Sequence, residues 1–484
     1  MNTPINDKLA QLNSDGKIPF HMPGHKRKTG YSTDITEITG YDNLHDPHGI
    51  IRDSMDNLKE IYHTRESWYL VNGSTVGILA AVSAVCRPGD KIVMARNCHK
   101  AVYHAVRLLR LEALYLYPQY HSRYDFALDM GRAGLEQLDR ILAGTEGIKM
   151  VVLTSPTYEG IVSDIAAFRD LISRYDDRIV LLADEAHGAH FPFHEAFPAS
   201  ALERGADLVV QSCHKTLPAL TQTALLHLCS ERVRRETLAD WLAVYETSSP
   251  SYILMASAEA SVIFMHNRGK NLRKYVDNLR AFRKKCGQLL HICLISGEKL
   301  PVYDYDMGKL VFCIKGEKEG GKWLFEKLRD QWNIELEMEN LSYAIAMTSV
   351  MDEEEDFDYL FDALSALDRE LDARPGQGQV REPDEEMAAP AGSLTVSPVK
   401  AVKVMEAWEA LEARSRDVPL TESDGRTAAS YVMIYPPGIP LLVPGEKIMK
   451  EMVENLKLYL YNGYNVPGLH GDKIPVLEED GGEK

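Results

Sequence analysis

Three things are scarce in this chain of 484 residues, and each scarcity excludes a class of protein. No stretch approaches the roughly 20 apolar residues a membrane-spanning helix needs. The opening Met1-Asn2-Thr3-Pro4-Ile5-Asn6-Asp7 lacks the apolar core of a secretion signal, so a cytoplasmic location and no membrane partner are expected. Cysteine is sparse. Seven are scattered with no C-x-x-C pair, which argues against a disulfide framework and a zinc knuckle, and no metal site is expected. Positive charge is in deficit, with 54 basic against 71 acidic residues and a net charge of −17. A surface that tracks nucleic-acid phosphates needs clustered positive charge, so no nucleic-acid partner is expected. An acidic field draws cationic small molecules, but weakly. The acidic runs Met351 to Asp356 and Glu478-Glu479-Asp480 read as solvated ends.

What is present is ordinary globular material, 45% hydrophobic and long enough for two or three domains. Short apolar runs at Trp68 to Val71, Lys91 to Ala95, Ala113 to Tyr117, Lys149 to Thr154, Ile179 to Ala183 and Asp207 to Val210 alternate with helical segments. That alternation predicts buried strands of a mostly parallel sheet wrapped by helices. Ala224 to Leu228 reads as another buried strand, and one long helix is expected from about Glu259 through Arg283. Beyond it, strands near Lys309 to Ile314 and Tyr343 to Ser349 and helices at Trp323 to Gln331 and Phe357 to Asp372 suggest an α+β lobe. The division this implies is an N-terminal segment 1–60, a large domain 61–258, a small domain 259–373, a Pro/Gly-rich linker 374–392 and a C-terminal domain 393–484.

The chemistry-bearing residues fall at predicted strand ends. Lys215, in Gln211-Ser212-Cys213-His214-Lys215-Thr216, follows an apolar run, and Asp184 ends another in Ala183-Asp184-Glu185-Ala186-His187-Gly188. A desolvated lysine loses basicity and can form an imine with an aldehyde cofactor, while an aspartate can hold a pyridine nitrogen protonated. The pair describes a pyridoxal phosphate site. Gly73-Ser74-Thr75, between a strand and a helix, offers N–H groups and hydroxyls to a phosphate, although Ser and Thr are also ordinary N-caps. An aspartate ending a strand can equally cap or pair. His99, at the start of a helix, can stack on a planar ring or simply cap, and His187 can sit against the cofactor or be a satisfied core histidine. Order favours the functional reading, because open α/β sheets bind ligands at the carboxyl ends of their strands.

The strings Phe20-His21-Met22-Pro23-Gly24-His25-Lys26, Asn97-Cys98-His99-Lys100, Asp184-Glu185-Ala186-His187-Gly188-Ala189-His190, Ser212-Cys213-His214-Lys215, Thr247-Ser248-Ser249-Pro250-Ser251-Tyr252 and Tyr435-Pro436-Pro437-Gly438-Ile439-Pro440 resemble the ornithine/lysine/arginine decarboxylases, in order and over nearly the whole chain. The resemblance implies pyridoxal phosphate fold type I, with an aspartate aminotransferase-like large domain, a smaller α+β domain and a C-terminal α+β domain. It implies that Lys215 is the imine-forming lysine, Asp184 the pyridinium partner and His99 the stacking group. By the same likeness Gly73, Ser74, Thr75, Ser212 and His214 lie on the phosphate side and His187 near the ring and the reacting carboxylate. Lys215 or His214 returns a proton to Cα. The family's site lies between subunits, which implies a homodimer or higher homo-oligomer and makes Ser248 a contact to the partner's site. Glu446 matches the family glutamate facing the substrate's cationic tail. The signature at His21 arrives too early for the receiver-like wing of the enteric inducible members, so the chain resembles the shorter Gram-positive type. Decarboxylation of arginine, lysine or ornithine is the expected activity, arginine or lysine ahead of ornithine. Another fold type I enzyme, such as an aminotransferase or a lyase, would keep the same lysine and aspartate; a regulatory homologue without turnover would have lost one of them.

Overall fold

The computed structural model describes residues 1–12, 21–28, 30, 32–121, 126–315, 320–373, 400–434 and 438–478. The expected linker 374–392 lies outside them, as do Phe20, Tyr435-Pro436-Pro437 and Glu479-Asp480. The chain forms two compact units, Met1–Val85 with Leu153–Val380, and Cys86–Val152 with Arg381–Lys484. In chain order the strands are Glu66–Leu70 (β1), Lys91–Ala95 (β2), Glu112–Leu116 (β3), Ile148–Thr154 (β4), Ile161–Val162 (β5), Val180–Asp184 (β6), Leu208–Ser212 (β7) and Ala224–Leu228 (β8). They continue with Ile292–Leu294 (β9), Asp304–Tyr305 (β10), Lys309–Ile314 (β11), Met338–Glu339 (β12), Tyr343–Met347 (β13), Ser415–Pro419 (β14), Val432–Ile434 (β15), Ile439–Leu442 (β16) and Lys473–Leu477 (β17).

In the first unit β6 and β7 run parallel, with Leu182 opposite Leu208 and Asp184 opposite Val210. Every residue of β1, β6, β7 and β8 is buried, as strands covered on both faces require. Each fully buried side chain such as Leu208 or Val210 contributes about 1.5–3 kcal/mol. β8 lies antiparallel to both β7 and β1, a departure from the parallel run. The segment from Cys213 to Thr223 is too short to return the chain to the same end of the sheet, so β8 runs back. The order β12-β13-β11-β9 forms a separate antiparallel sheet, packed by the helices Gly320–Trp332 and Glu354–Asp372.

The single long helix expected from Glu259 to Arg283 is two, Tyr252–Asn267 and Gly269–Cys286. Ser251 caps the first by accepting from the Leu254 N–H, so it starts earlier than the apolar pattern alone shows. The break falls at Arg268, next to Gly269, whose missing side chain removes any preference for continuing. The acidic run 351–356 has a local job as well as exposure: Glu353 and Asp356 form a capping box on the helix Glu354–Asp372.

In the second unit β2 pairs in parallel with β3 and β4. Its later residues supply the antiparallel pairs β14/β17 and β15/β16 and the helix Lys450–Tyr461. The seven cysteines form no disulfide.

Candidate active site

Two parallel strands set the site's core. β6 ends at Asp184 and β7 at Ser212, and one helical turn, Cys213–Thr216, then carries His214 and Lys215. The chain after Asp184 turns back at Gly188 and leaves His187 buried, with its Nε2 3.0 Å from Lys215 Nζ. Asp184 is 3% exposed, and its Oδ1 accepts from the Ala186 N–H at 3.2 Å. Burial pushes its carboxyl above the usual range, opposed by the charge of Lys215 and by that N–H. Burial likewise pulls the Lys215 amine down, opposed by Asp184 and Glu337, in the direction that favours the neutral nucleophile.

The turn before the helix Gly73–Val85 has Gly73 at φ +76°, a conformation that strains any other residue. Glu246, itself buried, accepts from the Val71 N–H at 2.8 Å, and Gln222 donates to the Val71 carbonyl at 2.6 Å. Those two bonds hold the strand end that presents Ser74 and Thr75 at the positive end of a 13-residue helix.

A group that fills the site must meet polar atoms the chain leaves unmatched. Ser212 Oγ, Thr216 Oγ1 and Thr154 Oγ1 are buried with no hydrogen-bond partner among the described residues. Hydroxyls at the ends of β4 and β7 and of the turn Cys213–Thr216, a glycine turn, a buried carboxylate and a part-buried lysine fit pyridoxal phosphate: an aldehyde, a pyridine nitrogen and a dianion.

His214 directs its Nδ1 at the Thr223 carbonyl, 2.9 Å away, so Nδ1 carries the hydrogen. Burial lowers its basicity, with the Thr223 carbonyl opposing. His99 lies in the second unit, where its Nδ1 accepts from the Ala101 N–H at 3.3 Å and caps the helix Lys100–Leu108. Ser248 is exposed, in a segment where Thr247 meets Asn72 and His45.

Glu446, also in the second unit, is 1% exposed and already engaged. It accepts from Arg96 Nε at 3.2 Å, Arg96 Nη2 at 2.9 Å and the Val443 N–H at 2.8 Å. Arg96 also donates to the carbonyls of Pro440 and Leu441. Nor does Glu446 cap the following helix, whose N-cap is Met449.

Several site residues escaped the sequence. Lys309, the first residue of β11, is 1% exposed, and its Nζ lies 3.1 Å from His187 Nδ1. Its stem packs where a Cβ on Gly160 would sit 2.7 Å from Lys309 Cγ. Tyr158 meets the His187 ring edge-on at 4.6 Å and donates to Glu337. Asp306 pairs with His190 at 3.3 Å. A lysine opening an apolar strand carries no signal of burial, and only a tertiary contact distinguishes it from a solvated edge.

A family model described as Orn/Lys/Arg decarboxylase, major domain, matches residues 3–304, and one described as its C-terminal domain matches 388–481. The uncharacterized protein YaaO of Bacillus subtilis is 31% identical, over 97% of this chain and 96% of its own length. The arginine decarboxylase of the same organism is 29% identical, over 98% and 97%. Among solved structures, the Francisella novicida lysine decarboxylase LdcF superposes with a TM-score of 0.82 at 19% identity, covering 98% of this chain and 81% of that one. The site thus sits on the fold of a known decarboxylase, and the sequence follows the family's two domains in order: the chain belongs to the Orn/Lys/Arg decarboxylase family.

Proposed function

We propose that the protein removes the α-carboxylate of a basic amino acid as CO₂, with arginine preferred over lysine and ornithine. The observation that carries the chemistry is the Lys215 amine, 3.0 Å from His187 and in the electrostatic reach of buried Asp184 at adjoining strand ends. Relatives named arginine decarboxylase share 28–29% identity and those named lysine decarboxylase 21–23%, which supports the ranking.

When bound, pyridoxal phosphate supplies an aldehyde carbon for the amines to exchange on and a ring that accepts the electron pair left when CO₂ departs. Asp184 contributes the negative charge that favours a proton on the ring nitrogen. Lys215 supplies the amine that holds the cofactor and that the substrate's amine replaces. His187, hydrogen-bonded to Lys215, can take up or return its proton. Lys215 or His214 protonates Cα after CO₂ leaves. Ser74, Thr75, Ser212 and Thr216 hold the phosphate side, and His99 keeps the stacking role that the family likeness assigns it. For the cationic tail, Glu446 would have to exchange Arg96 for the substrate; Glu337, exposed and within electrostatic reach of Lys215, is the carboxylate we assign to attract it.

The working unit is a homodimer or larger homo-oligomer, with Ser248 reaching the partner's site. The deciding experiment incubates the cofactor-loaded protein separately with arginine, lysine and ornithine, measuring CO₂ and the amine products. Conversion with a keto acid partner and no CO₂ would replace the decarboxylase reading with an aminotransferase one. Activity of a monomer in sedimentation at assay concentration would overturn the shared site.

A further inference from the structure

Two tyrosine–glutamate pairs cross between the turn Thr157 to Gly160, which joins β4 to β5, and the sheet β12-β13-β11-β9. Tyr343, in β13, donates to Glu159 Oε1 at 2.7 Å, and Thr157 donates to Glu159 Oε2 at 2.9 Å. In the reverse sense Tyr158, in the turn, donates to Glu337, which precedes β12. The first pair is buried; the second is half-buried at Tyr158 and exposed at Glu337.

The backbone at both ends of the second pair is fixed. The Thr157 N–H donates to the Ile161 carbonyl at 2.8 Å and the Gly160 N–H to the Thr157 carbonyl at 3.0 Å, while the Glu337 N–H donates to the Ile345 carbonyl of β13 at 2.9 Å. The Tyr158 ring meets His187 edge-on at 4.6 Å, and His187 lies 3.0 Å from Lys215 Nζ. Burial lowers the basicity of Lys215, His214 and Lys309, and Glu337 is among the charges that oppose it at all three. Its field therefore covers the site. Glu446 is neutralised by Arg96 at bonding distance, whereas Glu337 bonds a neutral phenol. A carboxylate has lone pairs for about four hydrogen bonds, so the phenol takes one without cancelling the charge.

We propose that Tyr158 is a positioning residue that sets the site's preference for a cationic substrate: its hydroxyl fixes the Glu337 carboxylate, which meets the charged end of the amino acid. The inference rests on the assignment of Glu337 as the group that attracts that charge. Tyr158 acts through Glu337, and the buried Glu159–Tyr343 pair keeps turn and sheet in register for it.

The test is equilibrium binding of cadaverine and pentylamine to cofactor-loaded protein, followed by the change in cofactor absorbance. The two probes differ only in the terminal ammonium, and neither has a carboxylate to lose. The native protein should bind cadaverine about 10-fold more tightly, the worth of one charge-assisted hydrogen bond. Tyr158→Phe, which keeps the ring against His187, should cut that ratio to about threefold and leave the pentylamine Kd within about twofold. Glu337→Asp, one methylene short of the phenol, keeps the charge but loses the contact and should show the same reduced ratio. Glu337→Gln should bring the ratio to about one, and adding Tyr158→Phe to it should change nothing further. A native ratio in Tyr158→Phe or in Glu337→Asp overturns the proposal, as does an equal loss for both amines, which is what a merely structural tyrosine would give. A ratio unmoved by Glu337→Gln removes the assignment of Glu337 as well. Failure to release CO₂ from any of the three amino acids would sink the decarboxylase reading while leaving this ratio readable.

Discussion

Glu446→Gln separates two roles for one carboxylate, substrate anchor or internal counter-ion, and the structure favours the second. Both oxygens are engaged, one by Arg96 Nε at 3.2 Å and the other by Arg96 Nη2 at 2.9 Å and the Val443 N–H at 2.8 Å, with the pair 4% and 1% exposed. Glutamine keeps one acceptor oxygen and turns an NH₂ toward a guanidinium that can only donate. Breaking a buried ion pair by removing one partner costs about 3–5 kcal/mol. Because the amide retains part of the bonding and Arg96 keeps the Pro440 and Leu441 carbonyls, we expect the lower end, about 3 kcal/mol. Urea unfolding, followed by probes in the second unit, should show that loss. A double-mutant cycle with Arg96→Met should return a coupling energy of about 1–3 kcal/mol, as for groups in direct contact. Turnover measured well below the unfolding transition should keep kcat/KM within about threefold, or about 0.7 kcal/mol. A tenfold or greater fall in kcat/KM for the preferred amino acid, with stability unchanged, would refute this and place Glu446 on the substrate.

Three other substitutions probe the site. Asp184→Asn should retain pyridoxal phosphate while cutting decarboxylation by about 100-fold or more, since a neutral amide does not favour the ring proton; near-normal turnover with cofactor bound would remove Asp184 from that role. Ser212→Ala should weaken cofactor binding by about 10- to 100-fold, the worth of one hydrogen bond to a charged group. It should leave the cofactor-free protein as stable or slightly more so, because the lost hydroxyl had no described partner; an unchanged cofactor Kd by equilibrium titration would show that the hydroxyl faces something else. Glu246, raised from 4.5 to about 7 by burial against the Val71 and Asn72 N–H groups, binds its proton more tightly folded than unfolded. Its stabilising contribution is complete below about pH 4.5 and is lost as pH rises through about 7. Native protein should therefore lose up to about 3 kcal/mol more than Glu246→Gln between pH 5 and pH 8, and equal slopes in urea unfolding across that range would contradict it.

What the sequence revealed, and what it hid, follows from how far apart the interacting groups lie. β2, β8 and β11 match the apolar runs from which they were expected, because a strand buried on both faces announces itself in five or six consecutive residues. The turn at Gly73 and the lysine after β7 were legible for the same reason, since turn chemistry and strand-end position are local. The antiparallel course of β8 was not, because direction depends on the length of a connection and not on the strand's composition. Burial of Lys309 and its 3.1 Å approach to His187 join residues 122 apart, and the Arg96–Glu446 pair joins residues 350 apart. At such separations a motif's neighbours say which residues stand beside it in the chain and nothing about what closes on it in space. Glu446 shows the consequence. Its place next to a family motif suggested a substrate contact, yet a buried carboxylate takes the nearest guanidinium, and Arg96, at the end of a strand in the same unit, reaches it first. Lys309 shows the reverse. A lysine with no motif around it is buried where Asp306, Glu337 and Glu159 offset part of the cost of burying its amine.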